Sequence, residues 1–430
     1  MKILVSLTAQ LGGSVRRGRS PNGRLALFCA LALWSLAVGA TPALSAGANT
    51  YGYPQTSSAS VSQPLGSDVS KALSRAETEK ARETLQAILR RPDVDADTLL
   101  RVGLDFAAKD LYPEAAQAFA RCAKEYPAVF EGHYNLALAE FAQQKFPEAL
   151  AALQAARHGS ELQELARSYL RGKIENALGR TAEAERDLSA AFAGAPRQEN
   201  YALDLGLFYL RERAYAHAVE TFERGAAFNP YSPFLALGLA LAEFLGGREP
   251  QSLETSKKLL ELEPDFAPAR LLMAFASYMT GNLEQAEQFA AQGLKNPQAS
   301  GYLYYLHATI LLKRQSRDYG QMLEELAVAT RSIPRCSLCY LTQSKVHQAW
   351  GETSQAITDL ETAVRLDPGF AESWYRLAPL YQSAGRSDDA ARARKQFQQL
   401  KTEKENRETE MLRSVFLETL GGEQQSASRP

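Results

Sequence analysis

Residues 199–230 read ENYALDLGLFYLRERAYAHAVETFERGAAFNP. Within them stand Leu205-Gly206, Tyr209, Tyr215, Ala218, Phe222, Gly225 and Pro230. The same arrangement returns about every 34 residues through most of the chain. The prolines show the period most plainly. Pro196, Pro230 and Pro264 follow one another at intervals of 34, and Pro334 and Pro368 repeat the interval. Each position has a physical reason. Small residues at the Gly206 and Ala218 positions let two antiparallel helices approach closely. Large ones at Leu205, Tyr209 and Phe222 fill the space between a pair and its neighbour. Pro230 stops the second helix, because proline cannot continue it and restricts the residue before it. One such pair cannot bury its own apolar stripe, so the units must stack.

Working outward, the pattern defines nine units. Unit one (96–129) carries Val102-Gly103, Phe106, Tyr112, Ala115, Phe119, Cys122 and Pro127. Unit two (130–163) has Leu136-Ala137, Phe146, Ala149 and Leu153, without the closing proline. Unit three (165–198) has Gly172, Ala184, Leu188 and Pro196, and unit four is the opening stretch. Unit five (231–266) shows Leu237-Gly238 and Pro264, with about two extra residues expected near Gly246-Gly247. Unit six (267–300) has Met273-Ala274, Ala286, Ala290 and Pro297. Units seven (301–336), eight (337–370) and nine (371–404) are marked by Ala308, Ala356 and Leu377-Ala378. Ser252 and Met322 depart from the small residue, and Arg394 from the large one.

This spacing resembles the tetratricopeptide repeat family, whose signature is W-x2-L-G-x2-Y, A-x3-F and P in 34 residues. The resemblance implies an all-α, right-handed superhelical solenoid of antiparallel helix pairs, with the first helix of each pair on a concave surface. It implies a scaffold that binds peptides or folded proteins, and no reaction. In the family, positions two, five, nine and twelve of each unit face the concave side. Carried onto this chain, they are Leu100 and Leu104, then Tyr134, Leu138 and Phe141, then Tyr169, Lys173 and Asn176. Further along they are Leu203, Leu207 and Leu210, then Leu271, Phe275 and Tyr278, then Tyr302, Tyr305, Lys345, Gln348 and Tyr375. The set is apolar and aromatic, as interface anchors are. A contiguous apolar patch marks a binding surface more than any single exposed residue does. Some family members clamp a peptide carboxylate with paired Asn and basic residues. Asn135, Lys173 and Asn176 approach that set, but Leu100 and Leu104 stand where its first Lys and Asn belong, so that mode is rejected.

The chain outside the units is shorter and simpler. Residues 1–48 read as a signal peptide: Arg16, Arg17, Arg19 and Arg24, then the uncharged run LALFCALALWSLAVGA, then small residues for cleavage after Ala40 or Ala48. The alternative is an uncleaved anchor, though 16 apolar residues are short for a roughly 20-residue span. Residues 49–67 are uncharged and rich in Ser, Gly, Pro and Gln, a flexible linker. Val69, Leu73, Ala76, Leu85 and Ile88 recur at helical spacing and predict an N-terminal capping helix over 68–92. Met411, Leu412, Val415, Phe416 and Leu420 predict a C-terminal cap over 405–422, covering the last unit. Gly421-Gly422 would end it, leaving a disordered tail at 423–430.

The 430-residue chain is 45% hydrophobic and 23% charged, ordinary for a folded protein. Without Lys2 and the four arginines of the leader, 48 basic residues become 43, against 49 acidic. A balance of −6 argues against a general nucleic-acid binder, which needs a basic face. Cys336-x-x-Cys339 opens unit eight. Without strand–helix–strand surroundings it reads as a local disulfide after export or as two semi-buried thiols, rather than a redox centre. Tyr340 excludes haem attachment, and His347 alone does not complete a zinc site. Cys122 takes a small core position. No H-E-x-x-H, phosphate loop, dinucleotide fingerprint or G-x-S-x-G occurs. The expectation is an exported, non-catalytic bacterial adaptor, periplasmic or secreted, without cofactor, metal or nucleic acid. The rival readings are a self-associating envelope protein and a regulatory subunit of an envelope enzyme. A catalytic domain would need a long stretch outside the array.

Overall fold

The computed structural model describes residues 63–297, 299–400 and 407–427. The leader and most of the linker lie outside the described residues. Every described element is an α-helix, and there are 21. Along the sequence, twenty of them run as ten couples of consecutive helices, and the helix Arg407–Ala427 follows alone. Gln63–Ser74 pairs with Thr78–Arg90, Ala96–Ala107 with Tyr112–Glu125, Phe130–Ala142 with Phe146–Ala155, and Glu161–Ala177 with Thr181–Gly194. Glu199–Arg211 precedes Tyr215–Phe228, and then Pro233–Leu245 pairs with Glu249–Leu262. Ala267–Met279 with Leu283–Leu294, Gly301–Lys313 with Tyr319–Ser332, Ser337–Trp350 with Thr353–Leu366, and Ala371–Ser383 with Ser387–Leu400 complete the series.

Local chemistry starts these helices cleanly. Pro113, Pro147, Pro233, Pro250 and Pro268 occupy first turns, where the missing N–H costs nothing. The Asp95 carboxylate accepts from the Thr98 N–H at 2.7 Å, and Ser160 with Gln163 forms a reciprocal capping box.

The turns carry the period more faithfully than the sequence motif does. Each pair is joined through one residue of positive φ: Ala76, Asp110, Gln144, Gly179, Arg213, Gly247, Gly281, Gln315, Gly351 and Gly385. The intervals are 34 residues, except 35 from Gln144 to Gly179 and 36 from Gln315 to Gly351. Five of these ten are not glycine, and a left-handed conformation costs an L-residue roughly 1–2 kcal/mol. The packing of the two helices imposes the turn, and composition alone does not reveal it.

This ladder revises three expectations. The N-terminal stretch is a helical hairpin rather than one capping helix, because the chain reverses at Ala76 (φ 60°). Its two helices pack on the first and second helices of unit one respectively. Its first helix begins at Gln63, inside the expected linker, with Pro64 tolerated in the first turn. Unit five has no insertion, since its helices begin 34 residues after those of unit four and Gly247 is an ordinary turn residue. Ala240 therefore holds the small position between its helices, and Gly238 faces back to unit four, where an added Cβ would lie 2.5 Å from the Phe222 ring. The extra two residues belong to unit seven, whose turn runs through Ser316–Asp318 before the helix starts at Tyr319.

The contacts divide the chain into two bodies, residues 1–212 with 420–430, and residues 213–419. In each, hairpins stack on their sequence neighbours, the all-α arrangement of a repeat solenoid. In the first body, Val69, Leu85, Ile88, Leu99, Val102, Phe106 and Phe119 form a continuous core across the first three hairpins. In the second, Tyr305, Leu311, Met322, Leu326 and Val346 form one cluster, and Leu341, Leu360, Leu377 and Tyr381 another. The irregular small positions are accommodated: Ser252 donates its buried hydroxyl to the Ala240 carbonyl at 2.7 Å, and Met322 is fully enclosed.

The last helix also differs from expectation. It continues through Gly421-Gly422 to Ala427, since an interior glycine costs a helix only about 1 kcal/mol. Its described contacts in the second body are with the turn at Arg213 and with the core of unit seven, rather than over unit nine. No described helix is long and apolar enough to cross a membrane.

Candidate protein-interaction surface

The first helices bring the expected surface residues onto shared faces, but most of them are packed. In the first body, Leu100 is buried and Leu104 half-buried in the N-terminal core. Tyr134, Leu138 and Phe141 are half-buried against Ala137, Leu153, Leu170 and Ile174. The Tyr169 ring stacks on Tyr201 of the next first helix with centroids 4.3 Å apart. Its hydroxyl donates to the Asp204 carboxylate. Lys173 Nζ lies 3.2 Å from the same carboxylate and over the faces of Tyr169 and Phe141, at 5.3 and 6.0 Å. Burial, and then the Asp204 charge, holds the Tyr169 phenol well above its ordinary value. Burial alone pushes Tyr201 up to about 12.

Asp204 is a partner that sequence reasoning missed. It stands at position six of unit four, between the expected surface positions. An acid one unit on from a Tyr and a Lys was the only available sign. Its effect is to consume Lys173, so the cation expected to meet ligand is already neutralised. Asn176 is half-buried, and Asn135 is buried with an amide nitrogen that meets no acceptor. The three do not converge as a carboxylate clamp. Leu203, Leu207 and Leu210 are buried.

In the second body Leu271, Phe275 and Tyr278 are buried. Phe244 of unit five joins them, edge-on to Phe275 at 5.7 Å. The displaced register of unit five hid this residue in the sequence. Lys313 Nζ sits 4.3 Å from the Tyr278 ring centre, a cation over an aromatic face. Tyr305 is buried and Tyr302 half-buried. Lys345 is paired with Glu372 at 3.0 Å, and Arg376 reaches the same carboxylate at 2.9 Å. Burial pulls Glu372 upward, but these two cations outweigh it and hold the group below the usual carboxylate range. Tyr375 alone of the set is broadly open, 59% exposed, with its ring 5.2 Å from Phe397.

Within the second body, the first turns of the helix Arg407–Ala427 lie against the unit seven part of this face. Met411 packs on the cluster that contains Tyr302, Tyr305 and Leu338. Burial, and then the charge of Glu418 on the same helix, lifts the Tyr302 phenol to about 12. Glu410 accepts from Arg213 at 2.8 Å and from Arg413 at 2.9 Å. Leu412 and Val415 are buried and Phe416 is wholly enclosed.

Cys336 and Cys339 form a disulfide at the start of unit eight, within the unit seven core. Cys336 Sγ also accepts the Cys339 N–H at 3.1 Å, capping the helix. His347 faces carboxylates rather than the sulfurs, with Nδ1 2.6 Å from Asp359. Cys122 is a buried free thiol pushed up to about 11, mainly by burial. Among the described residues no group of three His, Cys, Asp or Glu side chains is arranged to hold a metal.

Helical hairpins stacked on their sequence neighbours are the architecture of helical-repeat interaction scaffolds. Models of the tetratricopeptide repeat match residues 100–161, 169–233 and 341–399, and another such model matches 247–310, together more than half of the chain. The chain belongs to the tetratricopeptide repeat family. It is 22% identical over 351 residues to the human (Homo sapiens) DnaJ homolog subfamily C member 7, covering 75% of this chain and 70% of that protein. Among solved structures it is similar to a tetratricopeptide repeat protein from Parabacteroides merdae, at 19% identity and a TM-score of 0.46, over 58% of this chain and 98% of the other. It is also similar to YrrB, described as a TPR protein with an unusual peptide-binding site, at 17% identity, TM-score 0.37, and 46% and 97% coverage. Nothing about partners follows from likenesses at this level.

Proposed function

We propose that this interaction scaffold acts outside the cytoplasm and engages a protein partner through its first-helix face. The observation that carries the reading is the row of aromatic and aliphatic side chains on successive first helices, a concentration that a purely structural face does not need. The half-open Tyr134, Leu138 and Phe141 in the first body, and the exposed Tyr375 in the second, are the residues free to make first contact. Export is supported by the basic, then apolar, then small-residue order of the leader. The Cys336–Cys339 pairing suits an oxidising compartment. The work proposed for the chain is binding, without cofactor.

The test uses photo-crosslinking residues introduced at Tyr134 and at Tyr375 in intact cells. A discrete adduct with another protein, lost on Phe141→Asp with the helical content retained, is the expected result. Adducts only with the chain itself would replace the adaptor by a self-associating protein, and no adduct at either site would remove the face from consideration. Mass spectrometry of the mature N-terminus checks export, which predicts cleavage after Ala40 or Ala48.

A further inference from the structure

We propose that the helix Arg407–Ala427 is a self-ligand. It occupies the partner face of the second body and is displaced by a partner helix of the same chemistry. The inference rests on the reading of the first-helix face as a binding surface, and it names what that surface recognises.

Four observations within residues 213–419 carry it. First, the helix is covered on one side only. Leu412, Val415 and Phe416 are buried, whereas Ser414 and Glu418 are exposed. This is the i, i+3, i+4 anchoring by which an amphipathic helix lies in an apolar groove. Second, it lies on residues that the family pattern assigns to ligand. Met411 packs on the cluster of Tyr302 and Tyr305, and Glu418 acts on the Tyr302 phenol. Third, its end is also fixed by charge, through Glu410 to Arg213, a turn residue 197 positions earlier. Fourth, it stands outside the hairpin series. It follows the tenth pair, has no partner helix of its own among the described residues, and is reached through residues 401–406 (KTEKEN), which carry four charges and nothing suited to a core.

An element belonging to the array would be built like the others, in register with the turns and paired with a neighbour. This one is built like a bound peptide. The ligand class follows from its sequence. The partner segment is an amphipathic helix with large aliphatic or aromatic residues at the spacing of Leu412, Val415 and Phe416. An acidic residue two positions before the first anchor would meet Arg213. Tethering gives the resident helix an effective concentration on the order of millimolar, so a free helix competes only if it binds more tightly or if the resident one is released.

The probe is a labelled synthetic peptide of residues 407–427, and the protein is the full-length chain. The full chain carrying Leu412→Asp and Phe416→Asp is expected to bind the peptide at least about 100-fold more tightly than the unaltered chain, because its own helix no longer competes. A peptide carrying Phe416→Asp is expected not to bind either chain. Equal binding to both chains, or none to the altered chain while residues 233–400 keep their hydrogen-exchange protection, would overturn the proposal. Loss of that protection in the altered chain would overturn it too, by making the helix a part of the core. Light scattering checks the source of the helix. A dimer of the unaltered chain that falls apart on adding peptide would give the role to a second copy and defeat the intramolecular claim. The assay needs no cellular partner. Peptide binding without a crosslinked partner sinks the proposed adaptor role alone, and a crosslinked partner without peptide binding sinks the self-ligand alone.

Discussion

The Arg213 guanidinium lies 2.8 Å from the Glu410 carboxylate, joining the turn before Tyr215–Phe228 to the start of the last helix. The Arg213 side chain is mostly in water, and that of Glu410 about a third exposed. An exposed pair of this kind contributes about 0.2–1 kcal/mol. Arg213→Glu, which turns attraction into repulsion, is expected to raise the open population of the helix roughly two- to tenfold. The readout is amide exchange over Met411–Thr419. Adding Glu410→Arg should restore only part of the protection, because Arg413 shares the Glu410 carboxylate at 2.9 Å.

Gln144 offers a cleaner test of the turn ladder. Its side chain is exposed and its φ is 61°. Glycine adopts that conformation without the penalty an L-residue carries, so Gln144→Gly should stabilise the third hairpin by about 1 kcal/mol. Gly247→Ala, at φ 75°, should cost a similar amount. Urea unfolding followed by exchange in the affected hairpin checks both, and opposite signs are required.

Gly238 tests the revised register of unit five. An added methyl would stand 2.5 Å from the ring of Phe222, in the preceding hairpin. Gly238→Ala should therefore destabilise by about 1–3 kcal/mol, as overpacking does. The loss should appear at the seam between Tyr215–Phe228 and Pro233–Leu245. Were Gly238 instead the contact between the two helices of its own unit, the strain would localise to Glu249–Leu262.

Alkaline pH should loosen the first body before it touches salt-bridged surfaces. Tyr201 is raised from 10 to about 12 by burial, so its protonated form contributes stability that is complete below pH 10. That stability falls as pH climbs from 10 through about 12, since the unfolded chain releases the proton first. Each such tyrosine adds a slope of about 1.4 kcal/mol per pH unit inside the window. Tyr201→Phe should flatten the pH dependence of unfolding there by one such slope, with tyrosinate absorbance as the monitor.

The helix pairs were legible because one unit repeats. Errors in any single unit are outvoted by the phase of the others, and Pro196, Pro230 and Pro264 set that phase. Unit five slipped by two because Leu237-Gly238 imitates the Leu-Gly of unit four while the true small residue is Ala240. The hairpin before unit one escaped because Ala76 adopts a positive φ with no glycine to announce it. The candidate surface was legible as a set of positions but not as a state of exposure. Burial at Leu207, Phe275 or Tyr305 depends on neighbouring helices, and the Tyr302 phenol feels the charge of Glu418, over a hundred residues away. No local pattern encodes a contact between residues so distant in sequence.

The two added residues at Ser316–Asp318 leave the helices of unit seven paired and the downstream turns at Gly351 and Gly385 still 34 apart. Extra length introduced at a hairpin turn is absorbed there and is not passed along the chain. The turns are thus ready-made docking ports for foreign sequence. An epitope, a fluorophore-binding loop or a purification handle placed after Gly351 would ride on the array without shifting any helix out of step, which makes the chain a graduated support for displaying peptides at set intervals.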